Sequence, residues 1–377
     1  MIDPHPSTRR EAVPCGASLA LSWPGGRRLA FTLLWLVLLV GLAETLVRVP
    51  GVQARLPAPS FGITNRQFEL TWARLKTFVA EEGQPDCIFI GSSEVLRGIE
   101  PLTLAAAYRE RTGQEIRCFT FGVRGLDAKN SYDVARLVLQ VYRPRLLVFG
   151  TDIPSFSPER AEGLRGNLGR HAWLRYRLGD PSLEGWLIDH SAALQAYLPF
   201  RYWYWPAFAE QQAEAEKFDI QITREGYGQL ERIARSITEP PQPGDTQEEF
   251  FDLLRNFTLS EEQLDSLDSI LELRSEVGVL VVEMPLHRTF FHFFGNGRAD
   301  FDRGLQAMRD RIAPTHVEFI ETTDLQLISD DGWANRNHLN TQGALILSRW
   351  LGEQMGSLEQ TGRLPAIAPM ATPRGVP

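Results

Sequence analysis

Five short apolar runs, each followed by a stretch able to form a helix, constrain this chain more than any other feature. They are CIFIG (87–91), IRCFTFG (116–122), RLLVFG (145–150), VGVLVVEM (277–284) and HVEFIE (316–321). A helix is expected from about Pro101 to Thr112, and another over SYDVARLVLQVY (131–142). Continuous apolar strands alternating with helices must be covered on both faces, which a parallel sheet flanked by helices provides. The pattern predicts an α/β fold: a doubly wound, flavodoxin-like parallel five-stranded sheet spanning 85–355.

Residues from about 160 to 265 break the alternation. They hold aromatic clusters (Trp173, Tyr176, then Tyr202-Trp203-Tyr204-Trp205), acidic helical stretches and the breaker EPPQPGD at 239–245. This segment reads as a helical insertion on the exit of the third strand, overhanging the carboxyl edge where open α/β sheets bind ligands. Its aromatics either pack the insertion onto the main body or form a stacking platform for sugars. Ahead of the sheet, 49–84 reads as a linker and a helix over 65–81, with Phe68, Trp72, Leu75 and Phe78 on one core-facing stripe. Residues 356–377 end in the proline-bearing RLPAIAPMATPRGVP and are expected to be a disordered tail.

Near the amino end, LAFTLLWLVLLVGLAETLV (from Leu29) is apolar for about 19 residues, interrupted only by Glu44. That length spans a bilayer core of about 30 Å at 1.5 Å per residue. Arg9, Arg10, Arg27 and Arg28 precede it, whereas only Arg48 and Arg55 follow closely. The positive-inside rule then places 1–28 as a cytoplasmic leader, 29–48 as a transmembrane anchor and the remainder outside the cytoplasm. A cleaved signal peptide, with Val52-Gln53-Ala54 as its cleavage site, is the alternative; the long leader and long apolar run favour the anchor.

Composition excludes several classes. Hydrophobic residues are 43 % and charged residues 23 %, so neither a disordered chain nor a polytopic membrane protein fits. A formal charge of -8 argues against a nucleic-acid partner. Cys15, Cys87 and Cys118 have no CxxC spacing and are too few for a disulfide scaffold. The seven histidines form no HxxxH or His/Asp cluster at ligand spacing, so no metal is expected. A P-loop is absent, and no GxGxxG follows a strand; no cofactor is expected.

The chemistry-bearing residues fall at strand ends. Gly91-Ser92-Ser93-Glu94 follows the first strand, and Asn335-Arg336-Asn337-His338-Leu339-Asn340 precedes the last helix. In a doubly wound sheet both positions lie at the carboxyl edge, so a serine and a histidine distant in sequence can meet. A serine hydroxyl is a weak nucleophile until an adjacent base, usually neutral imidazole, takes its proton. Taken singly, a Ser-Ser pair after a strand is often only a helix cap; the pair at these two positions carries more.

These blocks resemble the SGNH (GDSL-like) hydrolase superfamily, and within it the membrane-anchored, extracytoplasmic branch of DltD-like proteins and surface-polysaccharide acyltransferases. FIGSSEVLRGIEP (89–101) is similar to the first block, with Ser93 in the nucleophile position. FGVRG (121–125) is similar to the second, whose Gly125 would offer a backbone N–H to an oxyanion. NRNHLNTQGA (335–344) is similar to the last, with His338 as base. FGTDIPSF (149–156) departs from the third: Thr151 stands where an oxyanion asparagine is usual, followed by Asp152. Three residues before the histidine, where the family carries its acid, stands Asn335. Asp330 or Asp331 folding back, a Ser–His dyad, or a catalytically dead site are the three outcomes this leaves open.

The resemblance implies a serine acyltransferase or esterase acting on cell-surface glycan, with a membrane-bound O-acyltransferase as partner. The alternative is a non-catalytic glycan-binding or scaffold subunit of a polysaccharide assembly complex. Arg97, Arg124, Asp152 and His287 are the remaining expected pocket residues, with a structural hydrogen bond as the equal alternative for His287. Arg97 and Arg124 would face an anionic glycan or phosphate, or else form surface ion pairs.

Overall fold

The computed structural model describes residues 23–56, 59–63, 65–158, 168–201, 221–234, 237–239 and 252–365. The chain divides into two compact units, Met1–Leu56 and Pro57–Pro377. In the first, α1 (Trp23–Val47) begins six residues earlier than the apolar run and exposes Leu33, Leu36, Leu39 and Val40. Residues Gly26–Val47 are long and apolar enough to cross a membrane. Glu44, the lone acid of the run, is 3.2 Å from Arg48 one turn later.

The second unit is the expected doubly wound sheet. Its strands are β1 (Cys87–Gly91), β2 (Cys118–Gly122), β3 (Leu146–Thr151), β4 (Gly278–Glu283) and β5 (Glu318–Glu321), in the all-parallel order β2-β1-β3-β4-β5. The helices of this unit begin with α2 (Arg66–Glu82), then α3 (Ser93–Gly98), α4 (Pro101–Thr112) and α5 (Ala128–Val141). One face of the sheet is covered by α2 and α5 together with helices that follow the insertion. The α2 stripe predicted from spacing is buried, with Phe68 edge-on to Phe121 and Phe78 tilted against Phe119. Pro101 opens α4, where a missing N–H costs nothing, and the Glu100 carboxylate accepts from Leu102 N and Thr103 N.

The described helices of the insertion are α6 (Ala172–Arg177), α7 (Leu183–His190) and α8 (Ala192–Arg201). The segment 221–234 is instead a turn-rich return path: its backbone accepts from Thr120 N of the edge strand β2 and donates from Gly228 N to Leu96 O. The helix α9 (Glu261–Glu272) belongs to the sheet, as the crossover into β4, because Leu264, Leu267 and Leu271 join the core. Trp173 is a core residue stacked on Phe61 at 4.1 Å, which is the packing role rather than a platform. Tyr202-Trp203-Tyr204-Trp205 lie outside the described residues.

After β4, α10 (Arg298–Ile312) covers the α2/α5 face. The last helix, α11 (Thr341–Gln360), packs with α4 on the opposite face through Leu347, Leu351 and Met355. It runs five residues into the expected tail, and Leu364 beyond it is buried. Apolar spacing continues to Leu358, so the proline run misplaced the boundary; 366–377 lie outside the described residues. A disulfide joins Cys87 to Cys118, opposite one another in the β1–β2 register. Cysteine spacing gave no sign of it, since the pairing follows from strand register.

Candidate active site

At the carboxyl edge, Gly91, Gly122 and Gly150 align in register across β2, β1 and β3. They leave room for α3 to cross directly over the strand ends. A Cβ on Gly122 would lie 2.5 Å from Leu96 N, and one on Gly91 would lie 2.2 Å from Gly150 O. Short side chains here let Ser93, the first residue of α3, stand at the rim, half-buried. Ser92 occupies the N-cap position, but its hydroxyl makes no capping bond to the helix backbone. It donates to the Glu94 carboxylate instead.

The second half of the site is the loop between β5 and α11. Trp333 and Leu339 form a bridge, and Ala334 N donates to His338 O at 2.9 Å, so residues 334–338 make a tight reverse turn. Neighbouring segments brace the turn: His287 N donates to Arg336 O at 2.9 Å, and Ala234 N to Trp333 O at 2.8 Å. Asn340 caps α11 by accepting from Gly343 N. This frame projects His338 toward α3, and its Nε2 lies 2.9 Å from Ser93 Oγ across 245 residues of sequence. A hydroxyl bonded to an imidazole nitrogen is the pairing that allows the ring to take the hydroxyl proton.

Asn335 lies on the far side of that ring. Its Oδ1 accepts from the backbone N–H groups of Asn337 (3.1 Å) and His338 (2.8 Å), which pins the amide. His338 Nδ1 is 3.1 Å from that oxygen and 2.9 Å from Asn335 Nδ2. The amide therefore serves both neutral tautomers: Oδ1 accepts from a protonated Nδ1, or Nδ2 donates to a bare one. Only the first leaves Nε2 free to accept from Ser93.

The structure separates the other expected residues. Asp330 is not at His338: its Oδ1 is 3.0 Å from His287 Nε2, and Oδ2 accepts from Arg288 at 3.2 Å. Those contacts hold the Asp330 carboxyl below the usual range. His287 is buried, its Nδ1 2.7 Å from Thr289 Oγ1; burial lowers its pKa, and Asp330 opposes the effect. Asp331 is exposed and bonded to Ser329. Arg97 is buried and donates to Gln229 O at 2.6 Å, tying down the insertion's return segment. Arg124 is exposed in the turn after β2, its N–H donating to Gln67 Oε1. Next to it, Gly125 has φ +76°, a backbone that residues with a Cβ rarely adopt.

Thr151 ends β3 and Asp152 follows it, both buried. Asp152 Oδ1 accepts from Ser155 N and Oγ, which fixes the exit turn; Oδ2 is 3.5 Å from Ser92 Oγ. Three residues that the sequence did not single out complete this layer. Glu94, 3 % exposed, accepts from Ser92 Oγ and from Asn337 Nδ2 at 2.7 Å, and lies 3.3 Å from Ser93 Oγ. Glu94 stands immediately after the nucleophile position, which was the one available sign; Ser92 and Asn337 carried none.

A cleft of about 310 Å³ opens beyond the ends of β4 and β5, lined by His287, Arg288, Asp330 and Trp333 among others. Neither Ser93 nor His338 lines it. Among the described residues, no group of three or more His, Cys, Asp or Glu side chains could hold a metal ion.

No family model matches this chain, and no curated protein does. Solved structures show low-identity overlaps. A carbohydrate acetylesterase from Sinorhizobium meliloti, Est24, is 12 % identical over 73 % of this chain and 100 % of its own, with a TM-score of 0.35. A gut microbial diltiazem-metabolizing enzyme, BT4096, is 13 % identical over 72 % of this chain, with a TM-score of 0.33. The match spans 47 % of BT4096's own length. Overlaps this weak carry no argument about chemistry, and the site stands on its own geometry.

Proposed function

We propose that this protein is a membrane-anchored, SGNH-like serine acyltransferase or esterase acting on extracytoplasmic cell-surface glycan. The observation that carries the chemistry is the 2.9 Å contact between Ser93 Oγ and His338 Nε2 at the carboxyl edge of a parallel sheet. Ser93 attacks the acyl carbonyl while His338 takes its proton. The N–H groups of Ser93 and Gly125, with the Thr151 hydroxyl, are the donors assigned to the oxyanion; one such donor is worth about 10²-fold or more in rate. His338 then protonates the leaving oxygen, and afterwards deprotonates a sugar hydroxyl (transfer) or water (hydrolysis) to release the acyl-serine.

Two features support the extracytoplasmic placement. Residues Gly26–Val47 suit a single-pass anchor, with Arg27 and Arg28 at its amino end and Arg9 and Arg10 before it in the sequence. The Cys87–Cys118 disulfide belongs to an oxidising compartment. An anchored site would work close to nascent surface polymer and to a membrane-bound O-acyltransferase delivering the acyl group. The asparagine at position 335 favours one rival, a glycan-binding scaffold subunit that has lost turnover.

Labelling of the full-length protein by a fluorophosphonate probe separates the two. The enzyme reading expects one adduct, on Ser93, lost in Ser93→Ala and retained in Ser92→Ala. A wild-type protein labelled no more than Ser93→Ala leaves the scaffold.

A further inference from the structure

We propose that Glu94 supplies the negative charge that the Ser93–His338 pair does not receive from Asn335, acting as a positioning residue from the serine side of the ring. The inference rests on the dyad reading above. In a serine triad the acid lies beyond Nδ1, where it selects the tautomer and stabilises the imidazolium. Here that place holds a neutral amide, and Asp330 is committed to His287 and Arg288.

Glu94 is a buried carboxylate in contact with Ser93 of the pair. Its Oε2 is 3.3 Å from Ser93 Oγ, which is itself 2.9 Å from His338 Nε2. Oε1 accepts from Asn337 Nδ2 at 2.7 Å, so the same side chain fastens the histidine loop to the nucleophile turn. Ser92 Oγ donates to Oε2 and Asn337 Nδ2 to Oε1. With the single Ser93 proton directed at His338 Nε2, Ser93 Oγ stands beside Oε2 as a neighbour at 3.3 Å, and the two donors, one to each oxygen, are those an acceptor-only carboxylate takes.

The step then balances without a second acid. The Ser93 O–H bond breaks as its proton passes to His338 Nε2. Oγ bonds to the acyl carbon, and the carbonyl π pair moves onto oxygen. The imidazolium formed is about 6 Å or less from the Glu94 carboxylate, measured through Ser93 Oγ, in a half-buried setting where opposite charge favours the ionised ring. On collapse the ester C–O bond breaks, the leaving oxygen takes the proton from Nε2, and the ring returns to neutral. Glu94 remains a carboxylate throughout. Among the described residues, the charged or titratable groups around this loop include Asp152 beyond Ser92, His287 with Asp330 and Arg288 beyond β4, exposed Asp331 before the turn, and Arg336 within the loop, whose Nη2 donates to Glu239 O.

Glu94→Gln in the full-length protein tests this. The amide keeps an acceptor for Asn337, and Ser92 can turn its proton toward Asp152 Oδ2, so the fold is expected to survive. The expected result is a 10- to 100-fold lower kcat on a small acetyl ester with little change in KM. The ionisation of His338, read from its ring resonances by NMR, should fall by about one pH unit. Glu94→Asp should recover most of that shift, and Asn335→Asp in the Glu94→Gln background should restore it from the other side of the ring. A histidine ionisation unchanged in Glu94→Gln overturns the proposal, as does failure of both carboxylate-restoring variants. The NMR reading needs no turnover, so loss of probe labelling at Ser93 would sink the acyl-transfer reading separately. If Glu94→Gln does not fold, Glu94→Asp alone still decides: an ionisation well below wild type would count against a charge effect of this kind.

Discussion

The side-chain amide of Asn335 meets Nδ1 of His338 with both of its polar atoms, Nδ2 at 2.9 Å and Oδ1 at 3.1 Å. Two backbone N–H groups hold the oxygen in place, so the amide cannot turn to exclude either contact. A carboxylate there would accept only from a protonated Nδ1, forcing the tautomer in which Nε2 faces Ser93 as an acceptor. The asparagine leaves that choice open, and the ring gains no charge on this side.

Asn335→Asp should therefore raise ester turnover, by about 10-fold or more, because it selects the productive tautomer and adds a charge beside the imidazolium. Asp330→Asn should change kcat far less, since that carboxylate holds His287 rather than His338. Steady-state kinetics of the two variants on one acetyl ester check both statements. A large loss of kcat in Asp330→Asn would mean that the acid is re-routed through a path other than the one seen here.

The Cys87–Cys118 bond closes a loop with a sequence separation of 31 between neighbouring strands. Removing it, as Cys87→Ala with Cys118→Ala, should lower stability by about 4 kcal/mol through regained freedom of the unfolded chain, with the loss of packing in addition. Denaturant unfolding with and without the pair measures this. In cells, an extracytoplasmic domain should resist maleimide labelling at both cysteines after denaturation until a reductant is added. Prompt labelling without reductant would place the domain in a reducing compartment.

Glu283 gives a pH dependence with a definite sign. It is wholly buried at the end of β4, accepting from Thr322 N at 2.8 Å and Thr323 N at 3.0 Å. Burial is the leading cause that pushes its pKa up from 4.5 to about 7. Between those values the folded state holds a proton that the unfolded state has lost, so stability should fall as pH rises through that window. The loss is on the order of 3 kcal/mol if no other group compensates. Glu283→Gln should flatten this slope in thermal melts taken from pH 4.5 to 7.5. An unchanged slope in that variant would assign the dependence elsewhere.

The alternation of short apolar runs and helices was sufficient to predict the sheet, because burial on both faces leaves a direct mark on each strand. It also made Ser93 and His338 a legible pair: once strand one and the last helix are placed, their adjoining loops share one edge. Strand starts shifted by a residue or two, as at Cys118 and Glu318, since the last apolar residues before a strand can pack without pairing. What the pattern could not hold was partner choice. Asn337 reaches Glu94 across 243 residues, Asp330 selects His287 over His338, and Arg97 turns inward to Gln229. Each is an ordinary polar residue in its own neighbourhood. Periodicity records which face of an element is buried, whereas a hydrogen bond between distant segments depends on register, crossover and loop shape, which exist only once the whole sheet has closed.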